Sequence, residues 1–153
     1  MTYPLDHRLF ETIGLLTRRD LASSAAQAAR KHLLEGVSQS DAARSHGIGR
    51  SNVRDTAIAI TDQYKLICAA YGTALPAAGS APAISGSMFD AIAKLTRRDA
   101  AKPTTMAARL VVVDGLRPKE AEDRTGASSG NVSNAVSRIR EAHSQIWSAL
   151  GGH

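Results

Sequence analysis

Pro118-Lys-Glu-Ala-Glu-Asp-Arg-Thr-Gly126-Ala-Ser-Ser-Gly-Asn-Val132-Ser-Asn-Ala-Val136 reads as a helix of about seven residues, a glycine turn and the opening of a second helix. Proline suits the first turn of a helix, where its missing N–H would have no partner anyway. The glycine supplies the backbone freedom of the turn. Ala121, Ala127, Val132 and Ala135 are small or apolar at positions that lock the two helices together. Ser128, Ser129, Gly130, Asn131, Ser133 and Asn134 then line the exposed start of the second helix. Short polar side chains on a helix N-terminus suit a nucleic acid. The free N–H groups and the dipole favour phosphate, Asn pairs with adenine, and Ser suits several base edges.

The same pattern occurs once more, 79 residues upstream. Leu16-Thr17-Arg18-Arg19-Asp20 returns as Leu95-Thr96-Arg97-Arg98-Asp99, and the offset pairs Phe10 with Phe89, Ile13 with Ile92, and Ala28-Ala29-Arg30 with Ala107-Ala108-Arg109. It also pairs Gly36 with Gly115, Gly47 with Gly126, Asn52-Val53 with Asn131-Val132, Ile60 with Ile139, and Gly72 with Gly151. From 10 to 72 there are 20 identities in 63 positions without a gap. The chain is therefore read as a tandem duplication, with a first helix-turn-helix domain at 1–72, a linker at 73–87 and a second domain at 88–153. The linker is uncharged and rich in Pro, Gly, Ala and Ser. It behaves as a coil about 20 Å across and reaches about 50 Å at most.

The expected fold class is all-α, about four helices per copy. Leu9, Ile13 and Leu16 share one helical face, as do Met88, Ile92 and Leu95. Thr17-x-x-Asp20 and Thr96-x-x-Asp99 look like N-caps of the second helix of each copy. That helix runs to Gly36 in the first copy and to Gly115 in the second, where Leu110, Val111, Val112 and Val113 also allow a buried strand. Ser38-x-x-Asp41 caps the short helix of the first copy. Val53, Ile60 and Ile67, matched by Val132, Ile139 and Ile146, carry a last helix of some twenty residues to Gly72 and Gly151. Its far end, with Tyr71, Trp147 and Leu150, is either an ordinary core stripe or a surplus apolar surface that packs the heads together or joins two chains as a homodimer.

In the first copy the reading face carries Arg50, Ser51, Asn52 and Arg54, with Asp55 beside them. Arg50 and Arg54 are the best guanine readers in the chain. Backbone contacts are expected from Arg44, Arg117, Lys119, Arg124, Arg138 and Arg140. The repeated Arg18-Arg19 and Arg97-Arg98 either clamp phosphate or are solvated first-turn residues.

The second copy, from Met88 to about His143, resembles the KorA/TrfB-type transcriptional repressors of conjugative plasmids. The likeness lies in Phe89, the 108–115 helix ending in Val-Asp-Gly, and Gly126-Ala-Ser-Ser-Gly-Asn-Val-Ser-Asn-Ala-Val-Ser-Arg-Ile139. Members carry a similar Gly-Leu-Thr-Arg-Gly-Ala-Val-Ser-Gln-Ala-Val-x-Arg-Val stretch. The resemblance implies a helical domain that represses promoters by reading a palindromic operator in the major groove. The family's base-reading Arg falls on Ser129 and Arg50, and its base-reading Gln on Asn134 and Asp55. Glu122 sits where a small residue allows close helix approach, while Ala43 keeps that residue in the first copy. Members dimerise through a separate C-terminal domain; here a second head stands in its place, which implies a covalent pseudo-dimer. Its heads would read an asymmetric site, with half-sites about 34 Å apart.

Composition agrees with an anionic partner. Of 153 residues, Lys and Arg number 19 against 14 Asp and Glu, a net charge of +5, and both copies are net positive. Aromatic residues are only 4%, which argues against binders that stack single-stranded bases. The lone Cys68 excludes an internal disulfide and a cysteine zinc site, and the histidines lack ligand spacing. No phosphate loop or catalytic constellation is present, so neither an enzyme nor a cofactor is expected. No apolar run nears the roughly 20 residues that span a bilayer, and no signal peptide is evident, so a cytoplasmic protein without a membrane partner is expected. Two other classes remain open. One is a structural DNA binder for plasmid partition or phage packaging initiation; the other is an interaction module in which one head contacts RNA polymerase or its twin.

Overall fold

The computed structural model describes residues 4–72 and 81–151. The fold is all-α, with eight helices and no strand among the described residues. The chain divides into two compact units, 1–72 and 73–153. Unit 1 holds α1 (His7–Leu16), α2 (Ser24–Glu35), α3 (Gln39–Ser45) and α4 (Arg50–Tyr71). Unit 2 holds α5 (Gly86–Leu95), α6 (Pro103–Val112), α7 (Pro118–Thr125) and α8 (Ser129–Ala149). Each helix of unit 2 starts 79 residues after its counterpart, so the repeat in the sequence is a repeat of elements.

The two copies start their helices by different chemistry. In unit 1, Asp6, Ser23 and Ser38 cap α1, α2 and α3 by accepting from the N–H groups of Leu9, Ala26 and Asp41 at 2.9, 3.2 and 3.1 Å. In unit 2, Ser85 caps α5 in the same way, through Met88. The serines before α2 and α3 are replaced by Lys102 and Arg117, and prolines 103 and 118 open α6 and α7 instead.

Two expectations are corrected here. Thr17 and Thr96 do not begin helices; they end α1 and α5. Each threonine hydroxyl turns back and donates to the carbonyl four residues earlier, on Ile13 and Ile92, at 2.7 Å. Arg18 and Arg97 then adopt left-handed backbone, with φ of 54° and 56°. The Arg18 and Arg19 N–H groups donate to the carbonyls of Leu15 and Gly14 at 3.2 and 2.9 Å, and Arg97 and Arg98 repeat the pair on Lys94 and Ala93. This is the Schellman stop, usually made with glycine. Asp20 and Asp99 follow, accepting from the N–H groups of Ala22 and Ala101. The four arginines therefore sit in connections, not in a first helical turn.

The linker is also shorter than its composition indicated. Residues 73–80 lie outside the described part, but Ser85 and Gly86 already belong to the start of α5, and the Pro82 carbonyl accepts from His143 Nε2 at 2.9 Å.

Within unit 1, α2, α3 and α4 pack on one another and α1 lies on α4. Ala28, Ala42, Ala43 and Val53 form a buried cluster, flanked by Val37 and Ile48. Within unit 2, α6 packs on α7 and α8, and α5 packs on α8 and α6. The seven-residue series Val53, Ile60, Ile67 and Val132, Ile139, Ile146 is buried throughout. Tyr71, Trp147 and Leu150 are buried as well. The 110–113 run is helical through Val112, not a strand.

Candidate nucleic-acid interface

The leading ends of α4 and α8 are presented by the same construction. A short helix, α3 or α7, is followed by a glycine in left-handed backbone, Gly47 at φ 63° or Gly126 at φ 74°. A residue with a Cβ would be strained there, so the direction of the next helix is fixed by these glycines. Val53 and Val132 anchor the first turn of the long helix in the core. With that face buried, the remaining directions of the turn face solvent.

All nine expected base-reading residues are exposed: Arg50, Ser51, Asn52 and Arg54 on α4, and Ser128, Ser129, Asn131, Ser133 and Asn134 at the start of α8. Gly49 and Ser128 are the N-caps, and neither helix start is closed by a side-chain hydrogen bond. In α4 the Asn52 N–H donates to the Gly49 carbonyl at 3.1 Å, and no side chain takes the other first-turn N–H groups of α4 or α8, which suit an incoming acceptor. Among the described residues only Arg54 of the nine is tied down, by a 3.1 Å pair to Asp55 whose members are both mostly exposed. Such a pair holds its partners weakly and yields readily to a phosphate or a base edge.

The expected backbone contacts divide into groups. Arg117, Arg124, Arg138 and Arg140 are exposed. Arg44 and Lys119 are exposed as well but bridge to Asp41 at 3.1 Å and Asp123 at 3.5 Å on their own helices. Arg18 and Arg97 are exposed at the helix stops described above, whereas Arg19 and Arg98 are half-buried, with Arg19 Nε enclosed. Those two serve the connection more than a ligand.

The copies differ in electrostatics. The α4 face carries two guanidiniums and one carboxylate, while the α8 face from Ser128 to Asn134 has no charge until Arg138. Ala43 is buried against the α3–α4 contact, and its counterpart Glu122 is half-buried at the edge of α7. Compared with family models, curated proteins and solved structures, the chain matches none. Among the described residues no group of three or more His, Cys, Asp or Glu side chains is placed to hold a metal ion, and no helix is long and apolar enough to cross a membrane.

The uncapped state of α4 and α8 was not legible in advance. Ser128 stands at an N-cap position, where serine ordinarily closes the helix, yet its hydroxyl makes no cap hydrogen bond.

Proposed function

We propose that this chain is a sequence-specific double-stranded DNA-binding regulator, a repressor of a plasmid or other mobile element, built as two helix-turn-helix heads on one chain. The observation that carries this reading is the coincidence, in both copies, of an exposed polar reading face with an uncapped helix start at the same register. The basic net charge and the resemblance of the second copy to plasmid repressors support it. In this reading the N-terminal turns of α4 and α8 enter the major groove. Arg50 and Arg54 read guanine, and Asn131 and Asn134 read adenine. The unlike faces make the operator asymmetric.

Selection of binding sites from random duplex tests this, followed by Arg50→Ala and Asn134→Ala. Each substitution weakens binding by about 1–3 kcal/mol and relaxes specificity in its own half-site. A variant that binds as the parent does removes that head from the reading. A footprint over one site of about two helical turns fits a repressor, whereas a repeating array points to a structural DNA binder.

A further inference from the structure

Unit 2 has a cleft of about 480 Å³ between α5 and α6, with Phe89, Ala93, Ala100, Met106 and Leu110 as its apolar wall. The first copy shows what fills the matching place. There Leu21 lays its side chain over Gly14 so closely that a Cβ at Gly14 would collide with it. Gln27 Nε2 donates to the Leu21 carbonyl at 2.6 Å and holds the connection down. The duplicate keeps none of these parts: Leu21 is matched by Ala100, Gly14 by Ala93, and Gln27 by Met106. Alanine is too short to reach across, and a thioether has no hydrogen to donate. The aliphatic group that one copy supplies from its own chain is missing from the other, and Met106 is 47% exposed at the edge of the gap.

A second difference bears on what enters. Thr105 is 4% exposed and lines the cleft, where the first copy has Ala26. Among the described residues its hydroxyl is neither hydrogen-bonded nor sealed from solvent, so it opens onto the cleft. A hydroxyl in an apolar wall is stabilised by a partner, and this chain supplies none. The charges at the rim favour neither sign. Asp90 engages Arg109 at 3.3 Å, Arg98 is engaged as well, and Lys94 and Asp114 offset one another. A carboxylate or ammonium drawn against the apolar wall would lose its water with no counter-charge reserved for it.

We propose that this cleft binds a small uncharged lipophilic molecule with one hydrogen-bonding oxygen, its aliphatic body in the place of the missing leucine and its oxygen on the Thr105 hydroxyl. The volume lies in the range of roughly 300–1,000 Å³ usual for small-molecule sites, and an apolar lining with one placed polar group is their common chemistry. The site is independent of DNA reading, since α8's leading residues do not line it.

Titration of the full chain with octan-1-ol below its solubility limit, followed by the amide and methyl resonances, tests the proposal. Saturable one-site shifts centred on Ala93, Ala100 and Met106 are expected. Octanoate and octylamine, with the same body and opposite charges, both bind about tenfold more weakly or worse. The double variant Ala93→Gly/Ala100→Leu rebuilds the leucine and its socket and lowers affinity by about tenfold or more. Thr105→Val keeps the shape, removes the hydroxyl and lowers affinity by about threefold to tenfold. The spectrum of each free variant establishes that it is folded, and Thr105→Val remains a test if the double variant is not. Shifts that do not saturate or that lie elsewhere, a charged analogue that binds as well as the alcohol, or undiminished binding by either folded variant would overturn the proposal.

Discussion

Arg18 and Arg97 hold a backbone conformation that glycine adopts at lower cost. Arginine nevertheless stands there in both copies, exposed, and the side chain rather than the backbone must account for it. Arg18→Gly and Arg97→Gly should each stabilise the protein by about 0.5–1 kcal/mol, read as a shift in denaturation midpoint. If the arginines contact phosphate, the same variants bind DNA less tightly and each lowers the salt slope by about 0.9. His143 supplies a pH dependence. Burial holds its imidazole below the ordinary 6.5, and the hydrogen bond to the Pro82 carbonyl works the other way without offsetting it. The unfolded chain takes up this proton first. Stability is therefore full above pH 6.5 and is lost as the pH falls below it, through the folded value. Its counterpart Tyr64 has its hydroxyl pushed up to about 12, by burial and then by Cys68, and stays neutral across that window. Trp147, the single tryptophan, lies buried on the same helix as His143 and reports on unit 2. Its fluorescence should show thermal unfolding shifting to lower temperature between pH 7 and 5, and His143→Tyr should flatten that dependence.

At the scale of elements, the spacing of apolar residues located α1, α4, α5 and α8, because a stripe repeating at three, four and seven residues is buried on one face of a helix, while the short α3 and α7 were marked by Ser38, Pro118 and the glycines that end them. Glycines 36, 47, 115 and 126 marked the ends that follow α2, α3, α6 and α7, all in left-handed backbone. The exposure of the expected reading residues was legible for a related reason: once Val53 and Val132 point inward, their neighbours point out. The Thr-Arg-Arg-Asp stretch misled because Thr-x-x-Asp satisfies an N-cap pattern, and the signal of a left-handed stop, glycine, is missing from it. The cleft in unit 2 was hidden for a different reason. It arises from side chains that are not there, and only Leu21 set against Ala100 across the offset reveals it. The long helices rest on their seven-residue series, and Ile139, fully buried at the middle of α8, is the natural probe. Ile139→Ala should destabilise unit 2 by about 2–5 kcal/mol, and Ile139→Val by about 0.5–1.5 kcal/mol, in chemical denaturation followed by Trp147.

At the scale of the molecule, two units with their own cores share one chain. In the proposed function the tether makes docking of the second head intramolecular, with an effective concentration of order millimolar. A protease site placed between residues 73 and 80 tests this. Cleavage should leave the helical content unchanged and lower affinity for the intact operator by about 10²–10⁴-fold. A chain that carries the same four-helix plan twice also faces a hazard during synthesis, since a helix of one half can seek its place in the other. The Leu21–Gly14 contact bears on that hazard. Were α5 to settle where α1 belongs, the Ala93 methyl would strike Leu21, and that side chain would have to turn out into water. A single methyl group thus sets α5 apart from α1 in the socket of the first half and disfavours that one exchange as the nascent polypeptide folds.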